Sequence, residues 1–317
     1  SDAYYLPTPA TDLVLRKRID YIEQKIAEEP AEAGSGYFFG RGIRLEIENI
    51  KAFASCLQKL FISTGQVAEW IGRLSNQDVR RSLQLTREIV ASPHIRVADL
   101  LMAFVSKTTM DVDVDNIKLA ILCGKYDIHP SGASSFAQNV FDMVSDVDTS
   151  PLIGIRVLVH LKSALNRNPD NDARYIIFRD IEKFFYDIGI EPRATLSCMN
   201  TLIKTGLAID YDPTATVVSP ESRFQISPSG VQHLQWAMSD LIYLETMSQT
   251  TPLLDQSLFD EFRFLYENPR ADQRRQAIIR FLGYLVAEDM HYVLVPKHDV
   301  YAQQQSIIMQ LSERVEA

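Results

Sequence analysis

The sequence predicts a mainly α-helical protein with a short β-hairpin in its second half. Apolar residues recur at three- and four-residue spacing over most of the 317-residue chain, which is the spacing of amphipathic helices. Only a few short runs have the β-branched and aromatic composition of strands. Hydrophobic residues make up 46% of the chain and charged residues 23%, as in globular proteins that bury a core. The composition therefore excludes a disordered or fibrous protein.

Residues 1–98 are predicted to form helices around two short extended pieces. The first helix follows Asp12, and its apolar face consists of Leu15, Ile19, Ile22 and Ile26. The extended pieces cover 37–39 and 43–47, and further helices cover 50–61, 67–74 and 78–90. In the last of these helices, Val79, Leu83 and Thr86 form the predicted inner face.

Residues 99–151 form a predicted acidic helical connector, which ends in a helix over 136–144. This segment holds eight acidic and three basic residues, whereas 1–98 hold 12 acidic and 13 basic residues. The whole chain has 41 acidic and 32 basic residues, a net charge of −9. This balance argues against a surface built to coat nucleic acid or an anionic membrane, since both are negatively charged.

Residues 152–251 follow a different pattern, with three helices and then a β-hairpin. The helices begin near 152, 178 and 192, and the strands cover 207–211 and 223–227. This order of elements is typical of a winged helix-turn-helix domain. A long helix over 231–247 is predicted to leave the domain, and residues 252–317 form a C-terminal helical segment.

No complete catalytic or metal-binding motif occurs in the sequence. The glycines between 34 and 42 match no phosphate-binding loop, and the six histidines lack the spacing of a zinc site. The acidic run 111–115 resembles the start of a calcium loop, but Asn116 and Leu122 replace the glycine and the glutamate that such a loop needs. We therefore expect no catalysis by this chain alone, no metal site and no cofactor bound by this chain.

Three cysteines and the absence of a long apolar run indicate a cytoplasmic protein. Cys56, Cys123 and Cys198 are far apart in the sequence, and we expect buried, unpaired thiols in a reducing compartment. No apolar run reaches the roughly 20 residues of a membrane-spanning helix. The polar residues 1–11 do not fit a signal peptide.

One segment resembles a known family. Residues 74–83, Leu-Ser-Asn-Gln-Asp-Val-Arg-Arg-Ser-Leu, resemble the lid-helix motif of AAA+ and related STAND P-loop ATPases. Residues 13–19 look like the last core helix of such ATPases, and a lid followed by a winged helix matches the C-terminal part of the family. The resemblance covers residues 12–92 and, in its fold, 152–247.

The resemblance implies a nucleotide-sensing role for Arg80. In the family, the first arginine of the pair reaches the nucleotide phosphates from the lid, and a guanidinium can give phosphate two parallel hydrogen bonds. A surface role, in which Arg80 pairs with Asp78 or Glu88, stays open. The Walker A and Walker B motifs are absent, so ATP and Mg²⁺ are expected only with a separate or missing core. The start at Ser1 favours a fragment of a longer ATPase.

The winged helix leaves two functions open. The leading interpretation is a regulatory or interaction module that couples the nucleotide state of an ATPase core to the binding of a protein partner, with a homo-oligomer as one form. The alternative is a DNA-binding protein that reads sequence with its third helix. Candidate DNA contacts are Arg179, Lys183, Arg193, Ser197, Asn200, Lys204 and Arg223. Residues 174–223 hold six basic and seven acidic residues, which disfavours DNA.

Overall fold

The fold is given by a computed structural model, which describes residues 8–28, 37–39, 43–45, 54–63, 65–96, 113–130, 135–142, 147–167, 172–267 and 271–316. The predicted mainly α-helical class with a short β-hairpin is confirmed. Contacts between residues divide the chain into two compact units, Ser1–Tyr126 and Asp127–Ala317. The finer division into four segments stays a prediction.

Unit 1 consists of helices and one small antiparallel hairpin. Its labelled elements are α1 (Thr11–Glu28), β1 (Tyr37–Phe39), β2 (Ile43–Leu45), α2 (Gln66–Leu74), α3 (Val79–Ala91) and α4 (Val114–Cys123). A helical stretch over 54–58 continues into a π-helical turn, Lys59–Ser63. In the hairpin, Tyr37 pairs with Leu45 and Phe39 with Ile43. Leu15 and Ile19 are buried, as the pattern of the first helix predicts.

The inner face of α3 differs from the predicted one. Ser82, Leu85 and Ile89 are its buried residues, while Val79, Leu83 and Thr86 are only partly buried. The Ser82 hydroxyl lies 2.6 Å from that of Ser75 in the preceding turn, and both side chains are buried. This hydrogen bond allows the polar Ser82 to be buried. The buried face of α3 therefore differs from the face that was predicted from hydrophobicity alone.

The described residues of the acidic connector, 113–130, 135–142 and 147–151, are less helical than predicted, and the rest of the connector lies outside the described residues. Helix α4 is present, and the Asp113 carboxylate caps its start by accepting a hydrogen bond from the Asp115 amide at 2.9 Å. The predicted helix over 136–144 is wrong, because residues 135–142 form bends and turns. Phe136, Ala137, Val140 and Phe141 are nevertheless buried. The apolar pattern of this segment therefore reflects burial against unit 2 rather than helix formation.

Unit 2 combines a small sheet with eight helices among its described residues. They are α5 (Ile153–Arg167), α6 (Phe178–Asp187), α7 (Pro192–Lys204), α8 (Pro228–Ser239), α9 (Leu241–Ser248), α10 (Gln256–Glu267), α11 (Ala271–Tyr292) and α12 (Ala302–Glu316). The strands are β3 (Ile176–Ile177), β4 (Ala208–Asp210) and β5 (Arg223–Ile226). Strand β5 lies in the middle and pairs antiparallel with both others. The pattern did not predict β3.

The predicted helix over 231–247 is two helices that meet at Asp240. The backbone of Asp240 is extended, with φ −105° and ψ 115°, so the first helix ends there. Its carboxylate accepts a hydrogen bond from the Tyr243 amide at 3.0 Å and caps the second helix. Because both helices continue the same apolar spacing, periodicity could not show the break.

Helix α5 is the centre of unit 2. It packs against β5, α7, α8 and α12, and Ile155, Leu158 and Leu161 are buried as predicted. Arg156 is also fully buried on this helix, with 0% of its surface exposed. Two of its three donor nitrogens, Nε and Nη2, bond to the Asp289 carboxylate of α11 at 2.9 and 2.6 Å.

The Arg156–Asp289 pair is completed by polar groups from two other segments. Arg156 Nη1 donates to Gln304 Oε1 of α12 at 3.1 Å, and Gln304 Nε2 donates to the Arg156 carbonyl at 2.9 Å. The Ser150 hydroxyl donates to Asp289 Oδ1 at 2.5 Å. The charges are therefore both paired and hydrogen-bonded, which is the condition for burying them.

A tight contact at Gly230 gives a first prediction. A Cβ at this position would lie 2.2 Å from the Leu207 carbonyl oxygen and 2.9 Å from Ile226 Cγ1. We expect Gly230→Ala to lower the free energy of unfolding by about 1–3 kcal/mol, because β5 and α8 would have to separate. Urea denaturation of the full chain measures the effect.

Gly283 of α11 provides the matched control for this substitution. A Cβ there meets nothing within 4 Å, and the residue lies inside a helix. Gly283→Ala should raise stability by up to about 1 kcal/mol, because alanine favours the helix over glycine. Equal effects of the two substitutions would show that the close approach at Gly230 is not real.

Candidate partner-binding face

Helix α7 presents an exposed polar stripe. It begins with Pro192 in its first turn and follows Gly189, whose φ of +95° allows the sharp turn after α6. Ala194, Cys198, Met199 and Leu202 are buried and fix the rotation of the helix. The opposite face carries residues at positions i, i+4, i+7 and i+11, which share one side of a helix. These residues are Arg193, Ser197, Asn200 and Lys204.

The charge of this stripe is positive. Arg193, Asn200 and Lys204 are exposed and Ser197 is partly exposed, and the 13 residues of α7 include no carboxylate. At a rise of 1.5 Å per residue, the two cations stand about 16 Å apart along the helix axis. Leu196 and Ile203, on the adjoining flank, are half-buried. The stripe therefore offers two separated cations with short polar side chains between them.

Arg179 is held by the loop that joins β4 and β5. Its Nη1 bonds to Glu221 Oε1 at 2.9 Å, and both side chains are exposed. The backbone supports this pair, because the Arg179 amide donates to the Pro220 carbonyl at 3.0 Å. Lys183, the other candidate on α6, is exposed.

Arg223 is held by an aromatic ring on the neighbouring strand end. The guanidinium carbon lies 3.7 Å from the ring centroid of Tyr211, a cation–π contact. Tyr211 stands edge-on to Tyr175 at a centroid distance of 5.1 Å. The Tyr175 hydroxyl accepts a hydrogen bond from Gln225 Nε2 at 2.7 Å. Arg223 thus belongs to a packed aromatic group on the sheet.

The loop after β4 is acidic at its start. The Asp212 carboxylate accepts hydrogen bonds from the amide and the hydroxyl of Thr214 at 2.9 and 2.7 Å. The Thr214 hydrogen bonds lower the pKa of Asp212, so its charge is retained near neutral pH. Glu221 is a second acidic side chain of this loop, and it pairs with Arg179. Residues 211–222 include no lysine or arginine, so the loop has no cation to bind a phosphate backbone.

No family model, curated protein or solved structure matches this chain. Its function must therefore be argued from its own geometry. Within the described residues, no helix has the length and apolar character that a membrane crossing requires. The same residues contain no cluster of three or more His, Cys, Asp or Glu side chains suited to a metal ion.

Residues 74–83, for which the sequence predicts a lid with a nucleotide-sensing arginine, consist of a turn and the start of α3. Leu74 is buried, and the turn after it places Asn76 and Gln77 at φ +53° and +62°. Such left-handed positions favour asparagine or glycine, which explains that choice in the motif. Asp78 then caps α3 by accepting a hydrogen bond from the Arg81 amide at 2.7 Å. The cap leaves Arg80 exposed in the first turn of the helix.

A shallow cleft of about 330 Å³ lies between the start of α1 and α2 in unit 1. Thr11 and Asp12 line one wall, and Gly72 and Gln77 line the other. Arg73 and Glu69 form an ion pair at its edge. Arg80 is not among the lining residues. The cleft and the nucleotide-sensing candidate are therefore separate features of unit 1.

The three cysteines are buried and form no disulfide, as expected from their spacing. Burial raises the pKa of the Cys198 thiol far above its ordinary range. A thiol in this state is a poor nucleophile, because the thiolate is the reactive form. Cys198 therefore serves as a small apolar residue on the buried face of α7.

Proposed function

We propose that this chain is a non-catalytic regulatory and interaction module of an AAA+/STAND-like ATPase. In this proposal, residues 12–92 form a lid-like segment and residues 152–247 a winged helix that binds a protein partner through α7. Arg80 senses nucleotide held by a core outside this chain, and the partner is a protein or a second copy of the chain. The element order α5–β3–α6–α7–β4–β5, with β5 in the middle of the sheet, supports the winged-helix assignment.

One observation carries the choice of a protein partner over DNA. Two of the candidate cations, Arg179 at the start of α6 and Arg223 on β5, are engaged by Glu221 and Tyr211 within the same unit. A DNA reader of this type needs cations beside its recognition helix to hold the phosphate backbone. With those two engaged, three of the five candidate cations remain to hold a duplex, namely Lys183, Arg193 and Lys204, which weakens DNA binding because each phosphate contact adds affinity.

DNA binding is the second candidate, and the acid-free surface of α7 favours it. Arg193 and Asn200 are side chains that can read base edges, and Lys204 can meet a phosphate. In this alternative, α7 enters the major groove. Affinity would then fall steeply with salt, because each neutralised phosphate releases counterions.

Substitutions on α7 distinguish the two candidates. The full chain and its Arg193→Glu/Lys204→Glu variant are compared by light scattering and by titration with a labelled duplex over about 50–200 mM salt. The interaction module predicts a mass above the 36.0 kDa of one chain, which the double variant returns to one chain, and no salt-dependent DNA binding. Lys297→Glu, at an exposed position that is not part of α7, serves as the control.

The two candidate functions predict different results in these experiments. Duplex binding that weakens with salt and falls at least tenfold in the double variant would replace the protein partner by DNA. A chain that stays monomeric and does not bind the duplex would contradict self-association and DNA binding through α7, and would leave a different protein as the partner.

The nucleotide role of Arg80 has its own test. The wild-type chain and Arg80→Ala are each mixed with a P-loop core, and the thermal unfolding temperature is measured with and without ATP and Mg²⁺. A shift in the wild-type chain that is absent in Arg80→Ala supports the nucleotide-sensing role. Arg87→Ala is the control, since Arg87 is an exposed arginine two turns further along α3. Equal shifts in all three proteins would assign Arg80 to the surface.

A further inference from the structure

Residues 135–142 pack inside unit 2 without forming a helix or a strand. They form bends and turns, and we call them the strap. The groove that receives the strap is formed by α8, α9 and α11, about 100 residues later in the chain. Such contacts between a segment without regular structure and distant side chains resemble peptide recognition more than ordinary helix packing.

The groove binds the main chain of the strap at Gln138. The Gln138 amide donates to His233 Nε2 at 2.8 Å, and its carbonyl accepts from the Tyr243 hydroxyl at 2.6 Å. The same hydroxyl accepts from the Val140 amide at 3.3 Å. His233 and Tyr243 are fully buried. Two buried side chains thus replace the backbone partners that a helix or sheet would provide.

The groove also recognises two side chains of the strap. Asn139 Nδ2 lies 3.2 Å from the Met247 carbonyl, 3.2 Å from Thr250 Oγ1 and 2.9 Å from Thr251 Oγ1, at the end of α9. The ring of Phe141 stands edge-on to Phe281 of α11, at a centroid distance of 5.3 Å. Main-chain bonds provide affinity, and these two pockets provide specificity for an asparagine followed two residues later by an aromatic ring.

We propose that the groove between α8, α9 and α11 is a peptide-binding site, filled by the chain's own strap, and that the strap leaves it without unfolding of unit 2. The ligand class is a short segment with the order Phe-Ala-Gln-Asn-Val-Phe that turns after Asn139. The site itself is independent of the proposed function.

Hydrogen exchange of the full chain tests whether the strap opens by itself. We expect the amides of Gln138 and Val140 to exchange at least tenfold faster than the buried α11 amides around 277–285, and still slower than in an unfolded chain. Exchange of the strap at the rate of α11 would show that it is an inseparable part of the core, and would overturn the proposal.

Two tyrosine substitutions sharpen the exchange experiment. Tyr243→Phe removes only the hydroxyl that holds Gln138 and Val140, so strap exchange should rise at least threefold while α11 is unchanged. Tyr284→Phe is the matched control, because its hydroxyl accepts a hydrogen bond from Leu254 outside the groove. Equal effects of both variants on the strap would contradict a role for the groove.

A peptide added in trans tests the site directly. A fluorescent peptide of residues 135–142 is titrated against the wild-type chain and against Asn139→Ala/Phe141→Ala, whose strap is weakened and whose groove is intact. We expect saturable binding at least tenfold tighter to the double variant, and none for a scrambled peptide. No binding to the folded double variant would overturn the proposal, and if that variant does not fold, the exchange result decides.

Neither assay requires nucleotide, DNA or a partner protein. Their failure would remove the strap site and leave the proposed function of α7 in place. Conversely, a negative result in the α7 experiments would leave the strap site untouched.

Discussion

Asp289→Ala should lower the free energy of unfolding of the full chain by about 3–5 kcal/mol. Asp289 makes both carboxylate contacts to Arg156, and both side chains are 1% exposed. The substitution leaves a buried guanidinium with Gln304 and without a counter-charge. Urea denaturation at neutral pH measures the change. A loss below about 1 kcal/mol would contradict the buried pair.

Two further variants test whether the loss of stability comes from a buried charge that has lost its counter-charge. Glu221→Ala removes an ion pair in which both side chains are exposed, so we expect a change within about 1 kcal/mol. Replacing both members of the buried pair, as in Arg156→Met/Asp289→Leu, should recover most of the stability lost in Asp289→Ala. The reason is that an apolar pair has no charge to desolvate.

The stability of unit 2 should fall as the pH drops, because His233 is buried in its neutral form. Its Nε2 accepts a hydrogen bond from the Gln138 amide, so Nδ1 carries the proton and donates to the Ser229 carbonyl at 2.7 Å. Burial lowers the pKa of His233 from 6.5 to about 4. Between these values the unfolded chain holds more protons than the folded chain, and about 3 kcal/mol of stability is lost as the pH falls through this window.

His233→Gln tests this pH dependence. Glutamine does not titrate, so the loss of stability between pH 6.5 and 4 should shrink by most of that amount relative to the wild-type chain. Burial raises the pKa of Asp142, which works in the opposite sense, but this effect is common to both proteins and cancels in the difference. His291→Gln, at an exposed position, should keep the wild-type pH dependence. Identical profiles for all three proteins would contradict the buried neutral histidine.

Much of the fold could be predicted from apolar spacing, because that spacing records which face of a helix is buried. Helices α5, α6 and α7 and the β4–β5 hairpin lie close to where the pattern places them. The spacing fails where one polar side chain decides the backbone. Asp240 ends α8 by capping α9, and the strap looks helical only because its apolar residues are buried.

The candidate face was less predictable than the fold. Sequence shows that Arg193, Asn200 and Lys204 share one side of α7, and the structure places all three at the surface. It does not show that Arg179 meets Glu221, because that pair depends on how the β4–β5 loop folds back. It does not show that Arg223 covers Tyr211 either, because that contact depends on the register of the hairpin. Sequence does not show the Arg156–Asp289 pair either, because its members are 133 residues apart.

The position of α5 has a consequence for anyone who shortens this protein. A chain that ended at residue 251 would keep the sheet, α6, α7 and α8, but would lose α11 and α12. Residues 153–158 are all buried, so one side of α5 would be laid open, and Arg156 would lose both Asp289 and Gln304. We expect such a truncated protein to be insoluble, whereas one that keeps 147–316 retains every described partner of α5.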